Sequence, residues 1–268
     1  MFRPKRPIPY TIREAVDAEI DRLLETGVIS PTNYSKWAAP IVIVKKPNGT
    51  IRLSCADFST GLNEALESHQ YPVPNIEDVM ATLNGGVIFS QLDLSEAYLQ
   101  VEVKEESREL LMVHTHRGLF QYNRLPFGIK TAPRIFQHIM DQLLVGLEGV
   151  TAYLDDILII GHSEEDHQHK LHTVLQRLSE WGFRLRTEKC NLHMERIKFL
   201  GMIVHKGGIE PDPDRIQAIE RMPPPTDIPT LRSFLGFVNY YGKFVPNLHS
   251  LKAPLEELLR KDQKSGVD

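Results

Sequence analysis

Three aspartates stand beside apolar segments, where their carboxylates could bind metal ions. Asp93 ends one apolar segment, and Asp155 and Asp156 separate two others, residues 151–154 and 157–160. Adjacent carboxylates in apolar surroundings repel each other and lose hydration, and a bound cation would offset both effects. Taken singly, Asp93 is better explained as a helix N-cap, and the aspartate pair as a polar hairpin turn.

Together the three aspartates predict a different role. A strand and a neighbouring hairpin can hold Asp93 and Asp155 close together across one sheet. Three carboxylates suit Mg²⁺, which takes oxygen ligands and keeps several waters or substrate phosphates. Two such ions about 3.5–4 Å apart can activate an attacking 3′-hydroxyl and stabilise a leaving pyrophosphate. The aspartates therefore favour metal-dependent nucleotidyl transfer.

Sequence patterns predict the elements that position these aspartates. We expect Asp93 at the end of a strand over residues 87–92, and Asp155 and Asp156 in the turn of a hairpin. The other predicted elements are a helix over 11–26 with a Thr11–Glu14 capping box, a hairpin of 40–46 and 51–53 around Asn48-Gly49, a helix over 75–83, extended segments near 98–103, 110–115 and 119–123, helices over 132–147 and 164–181, a hairpin over 199–205 and a helical remainder. This order predicts an α+β fold built on an antiparallel sheet.

The bulk composition excludes some classes of protein. The 268 residues carry a net charge of −4, which argues against a protein that simply coats nucleic acid but allows a local basic track. No segment approaches the roughly 18 apolar residues of a membrane span, and we expect no secretory signal. The two cysteines, Cys55 and Cys190, are far apart and fit a reducing compartment better than a disulfide framework.

Five sequence motifs occur in the order and at the spacing found in reverse transcriptases. Residues 153–156 read Tyr-Leu-Asp-Asp, 93–98 read Asp-Leu-Ser-Glu-Ala-Tyr, 125–133 read Leu-Pro-Phe-Gly-Ile-Lys-Thr-Ala-Pro, 199–201 read Phe-Leu-Gly, and 231–241 read Leu-Arg-Ser-Phe-Leu-Gly-Phe-Val-Asn-Tyr-Tyr. From about residue 8 to 260 the chain resembles the reverse transcriptases of Ty3/gypsy-like LTR retrotransposons. A two-residue acidic motif is weak evidence, whereas five ordered motifs are strong evidence.

The resemblance implies a right-hand polymerase fold. It places fingers over residues 1–85 with an insertion at about 105–130, an antiparallel-sheet palm over 86–205 and a partial helical thumb over 206–268. The implied activity is RNA-directed DNA polymerase, adding deoxynucleotides to a primer 3′-end with two Mg²⁺ ions, or Mn²⁺ as an alternative. The implied partners are a primed RNA or DNA template, deoxynucleoside triphosphates, and either a homo-oligomer or a larger Pol polyprotein, with no membrane. The implied location is the cytoplasm, including virus-like particles, or the nucleus.

The resemblance also assigns the metal-binding and primer-binding residues. Asp93, Asp155 and Asp156 match the catalytic carboxylates, and the carbonyl of Leu94 would help at the ion beside the nucleotide. Leu200 and Gly201 fall in the element that grips the primer. A buried hairpin is the simpler explanation for these last two residues.

Nucleotide contacts are implied at further positions. Tyr98 matches the ring that lies beneath the sugar and excludes a 2′-hydroxyl, although a core tyrosine remains an alternative. Lys46 and Arg52 match residues that hold the triphosphate, and a solvated hairpin is the alternative explanation for both. Phe127 and Gly128 match the segment behind the incoming base. Lys189 matches, more loosely, a lysine that protonates pyrophosphate.

Two features depart from the family pattern or compete with it. The stretch from Arg52 to Asp57 is one residue longer than usual, so either Ser54 is bulged or the fingers are damaged. Damaged fingers would favour the alternative function, a catalytically impaired remnant or a domesticated binding module. A third possibility, an RNA-dependent RNA polymerase, is weakened by Tyr98. The histidines at 162, 167, 169 and 172 lack the spacing of a zinc site.

Overall fold

The computed structural model describes residues 2–45, 51–67 and 70–264. The α-helices are α1 (Arg13–Glu25), α2 (Leu62–Ala65), α3 (Ile76–Thr82), α4 (Glu105–Arg108), α5 (Ala132–Leu143), α6 (Glu164–Glu180), α7 (Pro213–Glu220), α8 (Ile228–Tyr240) and α9 (Leu248–Lys264). The strands are β1 (Ile29–Thr32), β2 (Ala39–Lys45), β3 (Ile51–Ala56), β4 (Ile88–Asp93), β5 (Met112–Thr115), β6 (Gly118–Tyr122), β7 (Val150–Tyr153), β8 (Asp156–Gly161), β9 (Asn191–Met194), β10 (Arg196–Phe199), β11 (Met202–His205) and β12 (Gly208–Pro211).

These strands form three sheets. Their orders are β1-β6-β5-β2-β3, β7-β8-β4-β9 and β10-β11-β12. Neighbouring strands run antiparallel except for the parallel pair β2 and β5. The predicted α+β class with antiparallel sheets is therefore confirmed. The sheet β10-β11-β12 crosses the predicted boundary between palm and thumb at residue 206, since β12 ends at Pro211. The predicted domain boundaries are not tested and stay predictions.

Strand β8 in the sheet β7-β8-β4-β9 is covered on both faces, which explains its unbroken apolar run. Ile157 and Ile159 pack towards α5 and α6, in a cluster with Phe136 and Val174. Alternate residues of β8 point the other way, because successive strand side chains face opposite sides. Leu158 belongs to the second cluster, which is built from the following buried residues of α3, β4, β8, β10 and β11: Val79, Met80, Leu83, Phe89, Leu158, Ile160, Ile197, Phe199, Met202 and Val204. Burial on both faces fixes the register of the strands that carry the aspartates.

The extra residue between Arg52 and Asp57 is accommodated by a bulge. In the hairpin of β2 and β3, Val42 pairs with Cys55 and Ile43 pairs with Leu53, so Ser54 has no partner. Strand pairing continues on both sides of that shift, as a β-bulge permits. The bulge at Ser54 is therefore the correct one of the two predicted outcomes.

Several predicted elements are wrong in detail. The Thr11–Glu14 capping box is absent, because a 3₁₀ turn, Tyr10–Ile12, precedes α1, and its N-cap Ile12 has no side-chain cap. The segment predicted as extended near 98–103 begins instead with a 3₁₀ helix, Ala97–Gln100. Helix α5 ends at Leu143 rather than at residue 147. The hairpin predicted over 199–205 is longer, since β10 begins at Arg196 and Leu200-Gly201 forms its turn.

Candidate active site

The three aspartates meet at one edge of the sheet β7-β8-β4-β9. Asp93, the last residue of β4, lies directly opposite Asp156, the first residue of β8. Asp155 belongs to the two-residue turn that joins β7 to β8. The amide of Leu94 donates a hydrogen bond to the Asp155 carbonyl, N to O 3.2 Å, and so ties the end of β4 to this turn. The two explanations offered for Asp155 and Asp156 are therefore compatible, since the turn between β7 and β8 lies beside Asp93.

The electrostatics of this edge shift the pKa of Asp156. Burial raises the pKa of the Asp156 carboxyl, and the nearby charges of Asp155 and Asp93 raise it further. A hydrogen bond from Gln91 Nε2 to Asp156 Oδ1, 3.2 Å long, opposes that rise. The positive charge of Lys189 also lowers the Asp156 pKa. The negative charge at this edge is therefore only partly compensated by the protein.

Lys189 lies beside the Asp93 carboxylate, and its predicted role at the pyrophosphate stays a prediction. Its Nζ is 4.0 Å from Asp93 Oδ2, and its side chain is 57% exposed. The short 3₁₀ helix Thr187–Lys189 brings it there, after the Arg186 amide donates to the Asp93 carbonyl, N to O 2.9 Å.

Tyr98 also faces the aspartates. The backbone turns sharply after Leu94, with Glu96 at φ 49° and held by an ion pair to Arg22, N to O 3.0 Å. The Tyr98 ring packs against Phe127 and Phe136, at centroid distances of 5.1 Å and 5.3 Å. Burial, followed by the charge of Asp155, raises the pKa of Tyr98 to about 12. Tyr98 is thus a half-buried ring whose hydroxyl lies within electrostatic reach of a site carboxylate.

Phe127 and Gly128 lie next to Tyr98. Gly128 has φ 92°, a conformation that residues with side chains rarely adopt. Asn63 fixes this segment from the neighbouring helix α2, since its Nδ2 donates to the Gly128 carbonyl at 2.8 Å and its Oδ1 accepts from the Lys130 amide at 2.9 Å. The structure thus brings Phe127 to the Tyr98 ring and orders the backbone at Gly128.

The two predicted triphosphate contacts are not tested by the structure. Lys46 lies outside the described residues. The backbone of Arg52 pairs with Val44 in the β2–β3 hairpin, and its side chain lies outside the description. Both assignments stay predictions.

Leu200 and Gly201 form the turn between β10 and β11, with φ 47° and 72°. Two tyrosines of the α8 end hold this turn. Tyr240 donates its hydroxyl to the Leu200 carbonyl, and Tyr241 donates to the Gly201 carbonyl, O to O 2.9 Å. A Cβ on Gly201 would lie 2.7 Å from the Tyr241 hydroxyl, so only glycine fits without displacing that contact.

A comparison with protein families finds one family model that matches more than half of the chain. The family model described as reverse transcriptase (RNA-dependent DNA polymerase) matches residues 44–204, which include all three aspartates. The chain belongs to the reverse transcriptase family. The sequence-based recognition is therefore confirmed.

Sequence relatives of this reverse transcriptase chain are transposon polyproteins and an uncharacterized protein. It is 46% identical over 247 residues to the uncharacterized protein, from Caenorhabditis elegans, and 36% identical over 265 residues to a retrovirus-related Pol polyprotein from transposon opus of Drosophila melanogaster. It is 34% identical over 258 residues to the transposon Tf2-3 polyprotein of Schizosaccharomyces pombe. These matches cover 91%, 97% and 96% of this chain but 19%, 26% and 19% of the relatives, so the chain spans about a fifth to a quarter of their length.

Solved structures confirm the polymerase fold. The chain superposes on a foamy viral protease-reverse transcriptase in complex with double-stranded DNA with a TM-score of 0.90, at 24% identity, over 97% of this chain and 45% of that one. A second structure, of the foamy viral protein in complex with an RNA/DNA hybrid, gives a TM-score of 0.84 at 23% identity, over 97% of this chain and 35% of that one. At these identities the likeness establishes the fold.

The reverse transcriptase family generally uses divalent metal ions. Within the described ranges, no three side chains of His, Cys, Asp or Glu stand close enough to form a ready metal centre. The donor chemistry nevertheless fits a hard cation, because Asp93 and Asp156 are paired in the ladder and Asp155 lies in the adjoining turn, where burial and mutual repulsion raise the Asp156 pKa. The helices of the same ranges include none that is long and apolar enough to cross a membrane.

Sequence reasoning missed three polar residues that support this site. Gln91 bonds to Asp156, and Cys190 Sγ accepts a hydrogen bond from the Asp93 amide at 3.4 Å. Gln137 is fully buried within the apolar side of α5, and its Oε1 accepts from the Leu154 amide at 3.0 Å. The one available signal was Gln137 itself, a polar residue at a helix position otherwise occupied by apolar side chains.

Proposed function

We propose that this chain is the polymerase part of a retroelement reverse transcriptase, adding deoxynucleotides to a primer 3′-end on an RNA or DNA template. The observation that carries this proposal is that Asp93 pairs with Asp156 in the ladder, with Asp155 in the adjoining turn. Family membership supports the reaction class, and the foamy viral neighbours, described in complex with double-stranded DNA and with an RNA/DNA hybrid, support a duplex substrate.

The carboxylates would hold two Mg²⁺ ions, with Mn²⁺ as an alternative. The ions would be bound by Asp93, Asp155 and the carbonyl of Leu94. Asp156 would lie close by and add to the negative charge of the site. Bound Mg²⁺ supplies the Lewis acidity that activates the 3′-hydroxyl and stabilises the pyrophosphate charge. Because catalysis of this kind depends on positioning, the register of β4 and β8 is the protein's main contribution.

The residues around the carboxylates would select and orient the nucleotide. Tyr98, held by two phenylalanine rings, would close the space that a 2′-hydroxyl needs. Phe127 and Gly128 would back the base. Lys189 would protonate the leaving pyrophosphate or stabilise its negative charge. Its ammonium is placed for this role beside the metal-binding carboxylates, with Nζ 4.0 Å from Asp93 Oδ2.

Leu200 and Gly201 would grip the primer strand, and Lys46 and Arg52 would hold the triphosphate. The impaired-remnant alternative rested in part on the irregular spacing near Ser54. Because the bulge there leaves strand pairing intact on both sides, the hairpin does not favour that alternative.

Primer extension on a heteropolymeric RNA template with Mg²⁺ and deoxynucleotides tests the proposal. The test variant is Asp155→Asn, Asp156→Asn, and the matched control is Glu105→Gln, Glu106→Gln, which also removes two adjacent charges but at the exposed helix α4. We expect Mg²⁺-dependent extension by the wild type and the control, and none by the test variant. A folded wild type that binds the primed template without extending it would refute the proposed function.

A further inference from the structure

Gln137 is a buried polar residue whose three hydrogen bonds fix its orientation. Its side chain is 0% exposed. Its Oε1 accepts from the Leu154 amide at 3.0 Å, and its Nε2 donates to the Ala152 carbonyl at 2.9 Å and to Asp141 Oδ1 at 2.9 Å. An amide nitrogen only donates and an amide oxygen only accepts, so these contacts admit one orientation of the side chain.

The backbone that Gln137 holds is unusual. Leu154 has φ 55°, a left-handed conformation that residues with side chains rarely adopt. Such conformations persist where surrounding contacts impose them, and they concentrate at functional sites. Leu154 directly precedes Asp155, whose carbonyl accepts from the Leu94 amide on the other side. Hydrogen bonds from Gln137 in α5 and from Leu94 at the end of β4 therefore hold the conformation of this turn.

Asp141 and Tyr71 extend this network away from the turn. The Tyr71 hydroxyl donates to Asp141 Oδ2 at 2.7 Å, while the other carboxylate oxygen accepts from Gln137. The Tyr71 ring stacks on His138, with centroids 4.4 Å apart. The segment before α3 is therefore linked through Asp141 to the Gln137 amide, and through that amide to the turn.

We propose that Gln137 is a positioning residue that holds the Leu154 backbone and thereby places the carboxylate of Asp155, with Asp141 and Tyr71 keeping the Gln137 amide correctly oriented. Gln137 acts through Leu154 and touches no substrate. An apolar side chain of the same length would fill the volume but leave the Leu154 amide and the Ala152 carbonyl unpaired. The inference rests on the proposed polymerase function.

The test compares Gln137→Met with Gln142→Met, the same change on the exposed face of α5. Single-nucleotide incorporation is measured in a single turnover at saturating deoxynucleotide, beside the Kd for primed template. We expect Gln137→Met to slow incorporation by about 10- to 100-fold, as small displacements of reacting groups do. We expect its Kd within about twofold of wild type. Hydrogen exchange at the Leu154 amide should become faster. Gln142→Met should match the wild type in each measurement.

Tyr71→Phe tests the outer part of the network and removes only a hydroxyl. We expect a smaller loss of the incorporation rate, about two- to fivefold, at unchanged melting temperature. Groups that act through one contact are not additive, so Gln137→Met with Tyr71→Phe should be no slower than Gln137→Met alone.

Three results would overturn this inference: wild-type incorporation by Gln137→Met, a loss that only follows a smaller folded fraction, or multiplicative losses in the double variant. Failure of the wild type to extend any primer would instead refute the proposed function. Slow exchange at the Leu154 amide in Gln137→Met would refute the hydrogen bond itself, whatever the activity.

Discussion

Asp93 and Asp156 are direct partners in the ladder of β4 and β8. Opposed like charges on neighbouring strands destabilise a sheet. Here Asp155 adds a third carboxylate, and Gln91 and the exposed Lys189 offset part of this charge. The folded chain therefore holds these groups together against their repulsion, because the flanking strands are buried on both faces.

The first prediction concerns Asp156→Asn. This change removes the carboxylate whose pKa is raised by burial and by its two acidic neighbours. In EDTA at pH 8 we expect a melting temperature on the order of 2–4 °C above wild type, the shift that about 1 kcal/mol produces at this chain length. Mg²⁺ should reduce the difference by stabilising the wild type. Primer extension should fall by at least about 100-fold. Glu105→Gln is the control, and an equal or lower melting temperature in EDTA would contradict the prediction.

The same variant predicts a pH dependence with a definite sign. Because the folded-state pKa of Asp156 is raised, the unfolded chain loses this proton at lower pH than the folded chain does. The contribution of Asp156 to stability is therefore full below its unfolded pKa and is lost as pH rises through the folded pKa. The advantage of Asp156→Asn in EDTA should thus grow from pH 4 towards pH 8. Differential scanning calorimetry of both proteins across this range measures it, and a shrinking advantage would refute the sign.

Tyr98 should control the choice of sugar. Since Phe127 and Phe136 hold its ring, the ring cannot swing aside to admit a 2′-hydroxyl. We expect Tyr98→Val to lower the discrimination between deoxynucleotides and ribonucleotides by about tenfold or more, while Tyr98→Phe keeps it. The ratio of kcat/KM for the two nucleotides is the measurement. Equal discrimination by the valine and phenylalanine variants would show that the ring does not exclude the hydroxyl.

Buried His167 predicts an acid sensitivity of the sheet that carries Asp93. Its Nε2 lies 2.9 Å from Ser90 Oγ in β4, while its Nδ1 has no hydrogen-bond partner among the described residues. Burial, followed by the charge of His193, lowers the pKa of His167. The stability contributed by neutral His167 is therefore present above its unfolded pKa and is lost as pH falls through the folded pKa.

The measurement is the melting temperature of His167→Gln and wild type between pH 7.5 and 5. We expect the wild type to lose more stability on acidification than the variant does. His169→Gln, an exposed histidine of the same helix, is the control and should follow the wild type. Equal slopes for wild type and His167→Gln would contradict the prediction.

Local patterns predicted those parts of the molecule that local forces determine. The apolar run of β8 specifies a strand through burial on both faces. The predicted hairpin of β2 and β3 is present, while its Asn48-Gly49 turn lies outside the described residues. The aspartate cluster was also predictable, since two strand ends carried Asp93 and Asp156. The segment after Asp93 was not. Its alternating residues 98–103 favour a strand, but the left-handed Glu96 and the bond from the Leu99 amide to the Glu96 carbonyl, 2.7 Å, start a 3₁₀ helix instead.

The supporting contacts of the site were beyond sequence reasoning for a different physical reason. Gln137 and Leu154 are 17 positions apart, and Asp93 and Cys190 are 97 apart. Such pairs meet only once the sheet and helices have packed, and no periodicity encodes them. A polar residue on an apolar helix face marks a position that needs a partner, but it does not say which partner.

The turn at Leu200-Gly201 gives the last prediction, which concerns the tyrosine pair at the end of α8. Hydroxyls of Tyr240 and Tyr241 donate to the two carbonyls of this turn, and burial raises the pKa of both tyrosines. Because each hydroxyl keeps its proton at neutral pH, both act as donors. They connect the end of α8 to the turn proposed to grip the primer.

The variant Tyr240→Phe, Tyr241→Phe keeps both rings and removes both donors. We expect faster dissociation of the primed template, by about three- to tenfold, because the turn loses two hydrogen bonds worth about 1 kcal/mol each. The single-turnover incorporation rate should stay within about twofold, since the turn belongs to a different sheet from the strands that carry the aspartates. Tyr10→Phe, at an exposed tyrosine, is the control. A general loss of folding would instead lower the incorporation rate together with primer binding. If the double variant releases the primed template as slowly as the wild type does, and incorporates nucleotide at the wild-type rate, the two hydroxyls do not support the grip on the primer.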